Sequence, residues 1–400
     1  MSPAATVHAF VPASRRPPAP GGGGTPGVRH RLLRSLRRAA PALTAYLAVR
    51  LCGLAFLTHL AHVKGHGVWP TLATSWDSGW YLGIADHGYA EALGTRVNDN
   101  NLAFFPLYPL LVKAVAAVTP GSRASAGLLL AIGCSFIAAW GIFAVGDRLY
   151  GRRVGTLLTV LWGALPVAIV QWMGYTESLF TALAAWALYA VIGGCWPAAG
   201  ALASLAGLTR PTGVAVAAAV SVTALLACRT PGDRRGALAG ALLAPLGWLA
   251  FVAWVGLRVG RADGYFAVQR LWKNEWDGGR ATLLELRQQL VYTTRPELFL
   301  LIVSAVLIAS AVLLLLSAAD RQPLPLLVFT GVLLLVVLGS AGVYFPRARF
   351  LLPGFPLLLP IARALARARR PVTVAVVLLT ATLTSAWTGA YILLVWQGPP

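Results

Sequence analysis

Four short stretches of this 400-residue chain carry side chains from which a reaction centre could be built. SWDSGWYLGIADHGY at 75–89 sets Asp77, Asp86 and His87 among Trp76, Trp80 and Tyr81. GYTESLF at 174–180 holds Tyr175 and Glu177, LTRPTG at 208–213 holds Arg210, and VYFPRARF at 343–350 holds Arg347 and Arg349. Carboxylates and a histidine exchange protons, whereas guanidinium groups grip phosphates through a planar fork of donors. Glu177 falls in the first turn of a helix that Thr176 is placed to cap, and Arg210 stands beside the start of another with Pro211 at its first position. Helix starts favour anions, so Arg210 marks an anion-binding corner, and Arg347 and Arg349 suit a phosphate or a lipid headgroup. For 75–89 two readings stand side by side. One is a site; the other is an amphipathic interfacial helix over 78–87, capped by Asp77 and stopped by Gly88, whose aromatics are membrane-belt residues.

Positioning these residues falls to a chain that is 58% hydrophobic and 12% charged, more apolar than a soluble core of this length uses. The composition predicts an all-α, polytopic membrane protein. A span needs about 20 apolar residues, and candidate stretches run over 40–60, 124–146, 154–173, 177–194, 196–209, 211–228, 237–257, 297–319, 323–342, 350–362 and 371–396, about eleven crossings in all. One threading puts the Arg29–Arg38 run, the Arg148/Arg152/Arg153 and Arg229/Arg234/Arg235 clusters, Arg321 and the Arg363–Arg370 cluster on the cytoplasmic face. That asymmetry accounts for the net charge of +20 without nucleic acid as a partner. It also makes 103–119 an exoplasmic or re-entrant helix, and it places the long loops 61–123 and 258–296 outside together with all four stretches. Residues 1–38 are expected to form a disordered, basic cytoplasmic tail, and 39–398 a single membrane domain.

The remaining candidates read as structural. Cys52, Cys134, Cys195 and Cys228 form no CxxC pair and suit apolar packing. His59, His62 and His66 would line one side of a helix, but the helix is expected to end near Gly67, which favours interfacial polar tips over a metal row. Arg50 lies in mid-span and needs a partner in a neighbouring helix or a wet cavity.

Taken in order, Trp76-Asp77 with Trp80-Tyr81 and the following His87-Gly88-Tyr89, then FFPLYP at 104–109, then YTESLF and TRPTG, resemble the PIG-V-like family. Those glycosylphosphatidylinositol mannosyltransferases add the second mannose, have bacterial relatives, and belong to the GT-C superfamily of membrane glycosyltransferases. The resemblance spans roughly 45–355 and departs from the eukaryotic pattern after Arg210, where Pro-Thr replaces the usual Ser-Asn. It implies a GT-C fold and an inverting transfer of a mannosyl or other hexosyl group. The donor would be a polyprenyl-phosphate sugar, and the acceptor a lipid or glycan on the exoplasmic face. Asp77 matches the family's essential acid and becomes the candidate base, with Asp86 and His87 in reserve. Arg210, with Arg347 or Arg349, would hold the donor phosphate. Trp76, Trp80 and Tyr81 would wall the sugar or the prenyl chain, beside Tyr175 and Glu177. No cofactor is implied and no divalent metal is expected. The rival classes are a transporter or flippase, which would show two related halves that this sequence lacks, and a non-catalytic partner of a transferase complex.

Overall fold

The computed structural model describes residues 28–400, and among these it is helical, with one isolated bridge between Trp276 and Ser340. Five helices are long and apolar enough to cross a membrane: Leu32–Lys64, Arg123–Tyr150, Arg234–Val259, Leu298–Ala319 and Pro371–Leu394. Shorter apolar helices, Glu177–Ile192, Gly213–Ala227 and Leu324–Gly339, fill the bundle between them. Lipid rather than water surrounds such helices, so large apolar side chains stay uncovered by protein, as Ile308, Val312, Leu315 and Leu316 do on Leu298–Ala319.

The sequence expectations need correction in three places. The helix expected to start near 40 begins at Val28, so 28–38 is not tail but its first three turns, and 1–27 lies outside the described residues. The expected span 154–173 is broken: a helix over Arg152–Gly163 gives way at Leu165-Pro166 to a 3-10 turn over Ala168–Trp172. Proline lacks the N–H that would continue the helix. The expected span 350–362 is likewise a 3-10 turn over Phe355–Leu358 followed by Leu359–Arg367. Within 103–119 the helix Leu107–Ala116 has only 10 residues, about 15 Å, half the hydrocarbon thickness.

The break at 165–172 explains Arg50. Arg50 is 3% exposed, and its guanidinium donates to the Ala168 carbonyl at 2.5 Å. The partner is therefore a backbone oxygen released by the broken helix, not a carboxylate. Nearby, Tyr46 donates to Gln171 at 3.0 Å and Gln171 donates to the Trp162 carbonyl at 2.9 Å, so the irregular backbone is satisfied inside the bundle.

Glycines let the central helices approach closely, the small-residue packing typical of membrane helices. A Cβ on Gly200 of Trp196–Gly207 would stand 2.7 Å from the Gly240 carbonyl oxygen of Arg234–Val259. Gly200→Val is expected to destabilise the bundle by about 1–3 kcal/mol, the usual range for overpacking. Thermal unfolding in detergent reads it, and an unchanged midpoint would refute the close approach.

Contacts sort the polar side chains to two ends of the bundle. At one end Arg38 pairs with Asp147 at 2.5 Å, Arg363 with Asp320 at 2.7 Å, and Arg363 lies over the Tyr150 ring. These are residues the charge pattern assigned to a common face. At the other end Asp77, Glu177, Arg210 and Arg349 meet.

Candidate active site

Four segments converge to bring these four charges together. The Asp77–His87 helix starts directly at the acid: Trp76 occupies the N-cap position with φ 51°, and no side chain caps the first turn. Asp77 thus differs from the expected cap, and its carboxylate is free to leave the helix. It accepts from Arg349 Nη2 at 2.5 Å, while the Asp77 backbone N–H points to the Tyr175 hydroxyl at 3.4 Å. Arg349 sits on a four-residue helix, Arg347–Phe350, that follows Pro346. Glu177 opens the helix Glu177–Ile192 and lies between two cations, with Arg210 at 2.5 Å and Arg349 Nε at 3.8 Å.

The Thr176 hydroxyl does not cap that helix. It lies 3.4 Å from Arg210 Nη1 and 3.3 Å from the Tyr81 hydroxyl. Pro211 precedes rather than begins its helix, which runs from Gly213 to Ala227.

Two positive and two negative charges in one desolvated cluster cancel, which is what permits their burial. They are not equally accessible. The Asp77 side chain is 24% exposed, against 2% for Glu177, 9% for Arg210 and 5% for Arg349. A cavity of about 410 Å³ opens on them, within the range of small-molecule sites. Asp77, Arg210 and Arg349 line it together with Tyr81, Phe104 and Trp272, and Asp77 is the acid in that wall.

Burial alone would depress the Arg349 guanidinium, but the facing carboxylates of Asp77 and Glu177 hold it above its ordinary value. Among the described residues its Nε and Nη1 nevertheless find no hydrogen-bond partner. A buried donor left unmade is costly, so this guanidinium holds hydrogen-bonding capacity that the protein does not use. Burial pushes the phenols of Tyr81 and Tyr175 upward, and the Asp77 charge adds to this in both. Both stay protonated near neutrality, and the carboxylate of Asp77 is left as the group able to accept a proton in the cavity wall.

The other sequence candidates divide. Tyr175 lies under the Arg349 guanidinium, 4.9 Å from its ring centroid. Trp80 stacks on Phe104 at 5.5 Å and meets Trp272 edge-on at 5.5 Å, so it backs the cavity wall rather than lining it. Trp76 packs against the main core instead of the cavity. Asp86 and His87 point away into a different cavity, where Asp86 pairs with Arg123.

Arg347 is also elsewhere. It donates to the carbonyls of Ser340 at 2.8 Å and Ala341 at 2.6 Å and to the Thr282 hydroxyl, tying the 258–296 segment to the end of Leu324–Gly339. Its donors are spent on protein, and burial lowers its pKa. Arg347→Met is expected to lower unfolding stability by about 1.5–3 kcal/mol, the scale of hydrogen bonds to a charged group. A thermal midpoint within a degree of the native value would contradict that role.

Trp272, Gln269, Asn274 and Phe350 line the cavity without having been singled out in the sequence. The length of the 258–296 loop was the available signal for the first three. Phe350 lies under both guanidinium groups, 5.1 Å from Arg210 and 5.3 Å from Arg349.

No family model matches the chain, and no curated protein matches it by sequence. Solved structures match its fold. ArnT from Cupriavidus metallidurans bound to undecaprenyl phosphate aligns with a TM-score of 0.53 and 10% identity, covering 92% of this chain and 77% of ArnT. The archaeal oligosaccharyltransferase AglB from Archaeoglobus fulgidus, in complex with an inhibitory peptide and a dolichol-phosphate, aligns with a TM-score of 0.51 and 14% identity. That alignment covers 89% of this chain and 56% of AglB, so the chain spans little more than half the oligosaccharyltransferase's length. The chain shares its fold with these two proteins.

Proposed function

We propose that the chain is an inverting glycosyltransferase that moves a mannosyl or related hexosyl group from a polyprenyl-phosphate sugar to a lipid or glycan acceptor. The observation that carries this reading is the pairing, in one cavity wall, of a partly exposed carboxylate with a buried guanidinium whose Nε and Nη1 are unmet. A donor phosphate in that cavity would take up the guanidinium's charge in place of Asp77, and Arg210 adds a second cation from across Glu177. The phosphate competes with Asp77 for Arg349 and loosens the ion pair. Asp77 then accepts the proton of an acceptor hydroxyl as its oxygen attacks the anomeric carbon. The bond from that carbon to the phosphate oxygen breaks, and the charge gathering on the phosphate falls between the two cations.

A lipid-linked donor suits the surroundings. An apolar cleft of about 380 Å³ lies between Leu298–Ala319 and Pro371–Leu394, bounded by Ala348, the residue next to Arg349. A prenyl chain in that cleft would bring its phosphate to the guanidinium. The PIG-V-like motifs favour mannose as the sugar and the exoplasmic face as the side. They leave the acceptor open among an inositol lipid, a lipoglycan and a protein.

The test is transfer of radiolabelled mannose from polyprenyl-phosphate mannose to extracted membrane lipids by the purified chain. Substrate-dependent label identifies an enzyme and its acceptor. No label with any hexosyl donor would leave a transporter or a non-catalytic partner as the better reading. Two guanidinium groups supply the positive charge that a metal supplies to other phosphate leaving groups, so transfer is expected to survive excess chelator. A loss restored by a divalent ion would overturn that part of the mechanism.

A further inference from the structure

Asp86 and His87 belong to a second cavity. The Asp77–His87 helix and the FFPLYP corner form a shared partition. Tyr81 and Phe104 face the Asp77 cavity, while Ile84, His87, Pro106 and Pro109 bound another of about 480 Å³ on the opposite side. Lys113, from Leu107–Ala116, completes it. The one acid in its wall, Asp86, is already answered by Arg123. His87 and Lys113 are exposed, and neither makes a side-chain hydrogen bond or ion pair among the described residues. The cavity therefore carries an uncompensated positive charge and two free donors, which suits an anion.

The helix carrying Lys113 indicates what kind of anion. Leu110 is 61% exposed and Val118, just past the helix end, is 83% exposed; Ala114 and Ala117 are exposed between them. With Lys113 these form one outward stripe at spacings of three and four residues. A short helix with an uncovered apolar stripe, in a chain of membrane helices, lies along the interface with that stripe in lipid. The cavity thus joins a cationic pocket to a strip of acyl-chain contact. A free anion would use the pocket and ignore the stripe. A zwitterionic headgroup would bring its own cation against Lys113.

We infer that this second cavity binds an anionic glycerophospholipid, its phosphodiester held by Lys113 and His87 and its chains laid along Leu110, Ala114 and Val118. The lipid would brace the Asp77–His87 helix from the side opposite Asp77. This site is separate from the donor cavity, and its occupancy does not depend on what the chain catalyses.

The test uses the purified full chain in detergent with photoactivatable phosphatidylglycerol, mapping crosslinks to residues 84–118. Phosphatidylcholine carrying the same probe and inorganic phosphate as competitor are the controls. Phosphatidylglycerol is expected to label the Leu107–Ala116 helix at least about five-fold more than phosphatidylcholine, the scale of one lysine acting on an anionic lipid. Lys113→Gln should reduce that label about five-fold and Lys113→Glu further, and His87→Gln should also weaken it. All three changes lie on the surface, so the fold is kept. Equal labelling by the two lipids, or unchanged labelling in Lys113→Glu, overturns the proposal. Competition by inorganic phosphate at matched concentration overturns the lipid assignment and leaves a simple anion site.

Discussion

Asp77→Asn is expected to reduce sugar transfer by about 10²–10⁴, the usual contribution of a positioned general base. The amide keeps the shape of the side chain but takes no proton, and it withdraws the charge that faces Arg349 at 2.5 Å. Because Asp77 begins its helix without capping it, the helix loses no cap in the variant. The protein should still fold, with Arg349 retaining Glu177 at 3.8 Å as its remaining counter-charge. Initial rates with polyprenyl-phosphate mannose, on protein matched by size-exclusion profile, decide the matter. A variant keeping more than about a tenth of native rate is incompatible with Asp77 as the base.

Arg349→Gln is expected to act on both stability and transfer. Removing one partner of a buried ion pair costs about 3–5 kcal/mol, because the remaining charge is left in a poor dielectric. The same change removes a cation from the cavity wall, so donor affinity should fall with it. Arg349→Lys separates the two effects: the charge stays and recovers part of the stability, while the planar fork is gone and transfer stays low. In the double variant with Asp77→Asn, the stability loss should be smaller than the sum of the single losses, since both delete the same pair. Strict additivity in thermal or denaturant unfolding would show that the pair does not hold in the folded protein.

Much of the fold and part of the site could be read along the chain, for reasons that differ from residue to residue. Glu177 and Arg210 were legible because one opens a helix and the other stands just before one, at the end where the charge pattern discourages arginine, and the structure joins them at 2.5 Å. Arg347 and Arg349 were not separable. Residues two apart on a helix face different ways, and only the fold shows that one ties carbonyls while the other meets Asp77. Asp86 and His87 share a helix with Asp77 but lie beyond the partition formed by Tyr81 and Phe104. Trp272 reaches the cavity from a loop nearly 200 residues after Asp77, a contact that no local pattern encodes. Hydropathy windows also pass over the helix breaks at Pro166 and Gly354, since an irregular turn of apolar residues looks the same as a helical one.

The four charges of the cavity are spread along the order of synthesis. Glu177 and Arg210 are 33 residues apart in sequence and can find each other within one helical hairpin-sized stretch. Asp77 must wait for Arg349, 272 residues later. At about 5–20 residues per second, that interval is roughly 15–50 s of translation during which the acid has no cation of its own. Until then the nascent chain holds Glu177 neutralised and Asp77 unsatisfied. A chain cut short before the FPRARF corner would leave the ribosome with the Asp77 carboxylate lacking the cation it meets in the folded protein.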